Sequence, residues 1–101
     1  MNQQIKDQII FALEDDNELM TAALNPDSGL DAENKQMNRE LIREHERIIG
    51  KVEKSKQLTP YDLQLIADAN EIHRNDVDNL GGHHQEAVRL DRWLAKKMEV
   101  K

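Results

Sequence analysis

Apolar residues recur at helical spacing through almost the whole chain. In residues 2–24, Ile5, Ile9, Ala12, Leu13, Met20, Ala23 and Leu24 fall on one face, with Asp16 in its middle. Phe11 lies well off that face. Asn25-Pro26-Asp27-Ser28-Gly29 then supplies turn chemistry. Residues 30–55 repeat the pattern with Leu30, Met37, Leu41, Ile48 and Val52, widened by Ile42 and Ile49. Asn34 and His45 sit inside this stripe, and Ser28 or Asp31 can cap its start. Gly50 weakens the helix by roughly 1 kcal/mol, so fraying is expected from there.

The third element has the clearest ends. Thr59 suits an N-cap, Pro60 the first helical position and Asp62 the positive end of the helix dipole. Leu58 and Leu63 are spaced as a hydrophobic staple. Leu63, Ile66, Val77 and Leu80 form one face, and Leu65, Ala69 and Ile72 turn onto a second. So broad a surface marks residues 60–80 as the expected packing centre. Asn70 and His73 lie on its inward side. Gly81-Gly82 stops the helix, and residues 83–99 form a fourth with Ala87, Leu90, Leu94 and Met98 inward and Trp93 on the flank.

The sequence therefore predicts one all-α domain over residues 1–101. Its helices, at about 2–24, 30–55, 60–80 and 83–99, form a mainly antiparallel four-helix bundle or two helical hairpins. The alternative is three helices plus a dimerising arm. Net charge alternates along the chain: −7 over residues 1–34, +3 over 35–57, −4 over 58–82 and +2 over 83–101. That alternation hints that sequential helices are neighbours, although exposed charges contribute little energy each.

Composition removes several functions. A net charge of −6 lacks the basic footprint of a general nucleic-acid binder. With no cysteine there are no disulfides, thiol nucleophiles or cysteine-based zinc sites. The apolar run Ile9 to Leu13 is too short for a signal segment or a membrane span, so a cytoplasmic location is the default expectation.

Candidate chemistry is sparse. Each helix carries one polar residue at or near its inward stripe: Asp16, His45, His73 and Asp91. Two imidazoles and two carboxylates suit zinc or iron. However, neither histidine has the Glu-x-x-His spacing of helical di-metal sites, and there is no HExxH motif. Residues 76–87 hold Asp76, Asp78 and Gly81 at calcium-loop positions, but Leu80 and Ala87 stand where oxygen ligands belong. His83-His84 reads as a surface helix start. No serine, threonine or lysine has a recognisable base partner.

The expectation is a non-enzymatic interaction module that uses no cofactor, a small acidic regulatory or adaptor protein. It binds another protein, self-associates as a homo-oligomer, and contacts neither nucleic acid nor membrane directly. Phe11, Leu65, Ile72 and Trp93 are the apolar positions left for an interface. A metal-dependent helical enzyme and an acidic nucleic-acid mimic are the competing classes.

Overall fold

The computed structural model describes residues 2–25, 29–80 and 84–99, with side chains left out at 74–80, 84 and 99. Four helices run in the order α1 (Gln3–Ala23), α2 (Ala32–Glu53), α3 (Pro60–Leu80) and α4 (His84–Glu99). Among the described residues there is no strand. This is the expected all-α bundle.

Local chemistry sets the helix ends. The Asn2 side chain accepts from the Ile5 amide at 2.8 Å, which caps α1. Of the two candidates for capping α2, Asp31 does so, accepting from the Asn34 amide at 2.8 Å. The helix runs past Gly50 to Glu53. It then closes in a Schellman turn, in which the Ser55 and Lys56 amides donate to Val52 O at 3.1 Å and Lys51 O at 2.8 Å. Thr59 and Asp62 start α3 with a reciprocal capping box: the Asp62 amide donates to Thr59 Oγ1 at 3.1 Å, and the Thr59 amide to Asp62 Oδ2 at 3.0 Å. Gly81 to His83, including the Gly-Gly stop, lie outside the described residues.

The core joins all four helices. Ile5, Ile9 and Leu13 of α1 meet Ile48 and Val52 of α2, Leu63, Ile66 and Ala69 of α3, and Leu90 and Leu94 of α4. Leu58 packs against this cluster from outside α3, as the staple requires. The centre is not the helix that the sequence suggests. α1 packs on all three others, whereas α3 packs mainly on α1 and α4. The breadth of α3 reflects those two neighbours, while the single face of α1 is deep enough to be shared by three.

α1 and α2 form an antiparallel hairpin, with Lys6 near Ser55 and Asn17 against His45. In α3 and α4, Asn70 meets Ala87 and Asp91, consistent with a second hairpin. The α1–α3 contact joins two acidic helices, so charge alternation foretells only the partners within each hairpin. α2 departs from its pattern. Its buried residues begin at His45, and Met37, read as part of the inward stripe, is 59% exposed.

Candidate functional site

Three polar groupings lie within or against the core. The first centres on Asp62, which is fully buried at the junction of α2 and α3. Arg47 Nη2 and Lys51 Nζ each reach its carboxylate at 2.8 Å. Burial alone would raise this carboxyl. The Lys51 ammonium, the Thr59 amide and the Arg47 guanidinium together outweigh it and hold the group well below the usual carboxylate range. Arg47 also meets Glu44 at 2.6 Å, on the exposed side.

The second grouping spans α1, α3 and α4. Asn70 is fully buried; its Nδ2 donates to Ala87 O at 2.9 Å and to Asp91 Oδ1 at 2.7 Å. Its Oδ1 accepts from Gln8 Nε2 at 3.4 Å. One amide thus bridges three helices, and it does so inside a single chain.

The third is the histidine layer. His45 is buried, with Nδ1 2.8 Å from Asn17 Oδ1 and 4.0 Å from Asp16 Oδ2. Burial pushes the imidazole down, and Glu44 only partly opposes it. Burial pushes the Asp16 carboxyl up, reinforced by Asp15 and Asp68. Both shifts disfavour charge, so the 4.0 Å approach is not a stabilising ion pair. His73 is also buried. Its Nδ1 lies 3.0 Å from Asp15 Oδ2, its ring meets that of Phe11 edge-on at a centroid distance of 5.0 Å, and its Nε2 has no hydrogen-bond partner among the described residues.

The four inward polar residues are thereby divided. Asp16 approaches His45, His73 takes Asp15, and Asp91 takes Asn70. Among the described residues, no three His, Asp or Glu side chains gather as a metal site would require. The side chains of Asp76, Asp78 and His84, with the whole of Gly81 and His83, lie outside the described residues.

The apolar positions left for an interface fare differently. Phe11 is 48% exposed, and with Trp93 it lines a groove of about 490 Å³ between α1 and α4. Ile5 and Gln8 also line this groove, and Asp7, Glu86 and Arg89 bring charge to it. Ile72 is 42% exposed on α3, next to the histidine that Phe11 touches. Leu65 and Trp93 are partly buried against the core, and Leu65 lines no part of the groove. Trp93 also walls a second trough of about 540 Å³.

Sequence reasoning missed Asp15, Asn17, Gln8 and the ion pairs of Asp62. The Thr-x-x-Asp spacing at residues 59–62 signalled the cap. Nothing local signalled Arg47 and Lys51, which come from the preceding helix. No helix among the described residues is long and apolar enough to cross a membrane.

Comparison with protein-family models, with curated proteins and with solved structures returned no match.

Proposed function

We propose that this protein is a non-enzymatic interaction module, a small acidic regulatory or adaptor protein that binds another protein and also itself. The reading is supported most by Phe11. It is a large aromatic, half exposed, in a groove it shares with Ile5 and Trp93, while the core beneath is already filled by aliphatic side chains. Aromatic anchors in apolar grooves carry much of the energy of protein interfaces. The groove's mixed charges, Arg89 with Asp7 and Glu86, suit a two-fold contact in which the arginine of one copy meets the carboxylates of the other. The internal polar groups suit an architectural role, because Asp62, Asn70, His45 and the Nδ1 of His73 each meet a partner within the chain.

Light scattering over a concentration series tests this. The expected result is a mass rising above that of one chain, with Phe11→Ala lowering the association while helicity by circular dichroism is kept. A species that stays monomeric throughout, and whose cellular contacts are indifferent to Phe11→Ala, contradicts it.

A further inference from the structure

The second trough, opposite the Phe11 groove across Trp93, has a different chemistry. Its floor is apolar, made by Leu58, Leu63 and Trp93, and its rim is cationic, made by Lys6, Lys56 and Lys97. Among the described residues no carboxylate lines it, on a chain whose net charge is −6. Among the described residues, none of the three ammonium groups forms an ion pair. Lys97 instead lies over the Trp93 ring, 5.6 Å from its centroid. The rim also contains a strained residue. Ser55 has φ +55°, a left-handed conformation at the Schellman position where glycine is usual. Its hydroxyl accepts from Lys6 Nζ, so the side chain that makes the conformation costly also holds one of the cations at the rim.

We infer that this trough receives an acidic segment of a partner protein, with an apolar side chain seated on Trp93, Leu58 and Leu63 and carboxylates set among Lys6, Lys56 and Lys97. The inference deepens the interaction reading and rests on it. Charge complementarity selects an anionic occupant, because the local field is positive while the chain as a whole repels anions. Continuity selects a polypeptide. Arg89, Trp93 and Lys97 succeed one another at four-residue spacing on α4, so the trough and the Phe11 groove form one surface on either side of a single indole. A nucleic-acid strand following that surface would set its unbroken phosphate charge against Asp7 and Glu86. A protein segment can place its carboxylates only where the lysines are.

The test is selection from a phage-displayed library of random linear peptides on the folded protein, in parallel with Lys6→Gln/Lys56→Gln/Lys97→Gln. Lys56 and Lys97 are exposed and Lys6 is half-buried, and circular dichroism verifies that the variant folds. The expected outcome is enrichment of sequences that pair Asp or Glu with Leu, Ile or Phe. Synthetic copies should titrate the fluorescence of Trp93, the sole tryptophan. The triple variant should bind them at least about tenfold more weakly. The inference is overturned by no enrichment, by neutral peptides bound equally by the variant, or by single-stranded DNA that displaces the peptide at lower concentration than the peptide itself. Peptides that depend on Phe11 but not on the three lysines overturn it while leaving the interaction reading standing.

Discussion

Asp62 and Asp16 are both buried carboxylates, yet the two regions treat them in opposite ways. Asp62 receives a guanidinium, an ammonium and a backbone amide, and its charge is favoured. Asp16 faces Asp15 and Asp68 in a site that also disfavours charge on His45, and its carboxyl is pushed up. A buried acid stabilises a fold only where donors are supplied to it. The α2–α3 junction supplies them; the histidine layer does so incompletely, as the unpartnered Nε2 of His73 also shows. The first region therefore acts as a clamp. The second is a place where the bundle tolerates polar groups between well-packed apolar turns.

The largest test of this contrast is removal of the clamp. Asp62→Ala takes away a cap and two ion pairs, leaving Lys51 without this carboxylate and Arg47 with Glu44 alone. Both cations are partly exposed, with side-chain exposures of 40% and 25%, which reduces the effect. The expected loss is about 2–3 kcal/mol by urea denaturation. Because the folded-state pKa of Asp62 is depressed, its contribution is present above the unfolded value near 3.8 and disappears as pH falls through the folded value. Asp62→Ala should therefore cost least in strong acid. A cost that does not change with pH would refute the ionic part of the clamp.

Asn70→Ala should come next, at about 1–3 kcal/mol, since it removes hydrogen bonds to the Ala87 carbonyl, Asp91 and Gln8 that tie three helices together. An unchanged urea midpoint would show that water replaces the amide without loss.

The histidine layer predicts smaller effects of both signs. The raised pKa of Asp16 means that its ionised form weakens the fold at neutral pH, and that this penalty is relieved in acid. Asp16→Asn should stabilise at pH 7, with the gain vanishing as pH falls. His45 has a lowered pKa, so its contribution is complete above about 6.5 and is lost as pH drops below that value. His45→Gln should flatten the loss of stability between pH 7 and 5. If Asp16→Asn destabilises as Asp62→Ala does, the contrast between the two regions is wrong.

The helices were legible because their end signals are local. Thr59-Pro60 and Asp31 act within four residues, and the caps they form need no tertiary information. The inward placement of Asp16, His45 and His73 was equally legible from the helical period. Their partners were not. Asp15 rather than Asp16 meets His73, a difference of one residue, or about 100° of helix rotation, decided by how α1 turns against α3. The central role of α1 was hidden for the same reason. Periodicity shows which face is buried, not how many helices share it. Met37 obeys the period of α2 and is still exposed, so the period alone does not show how far along a helix its neighbours reach.

The clamp, and the histidine layer apart from His73 Nε2, spend their polar groups within the chain, whereas the proposed interface rests on the half-exposed Phe11 beside Trp93. The most direct measurement is the urea midpoint and the association constant of one Phe11→Ala preparation beside the wild type. The account predicts a stability change no larger than the ~1 kcal/mol of an aromatic edge contact, together with an association weakened by at least about tenfold. A midpoint that collapses while association persists would place Phe11 in the fold and contradict the account.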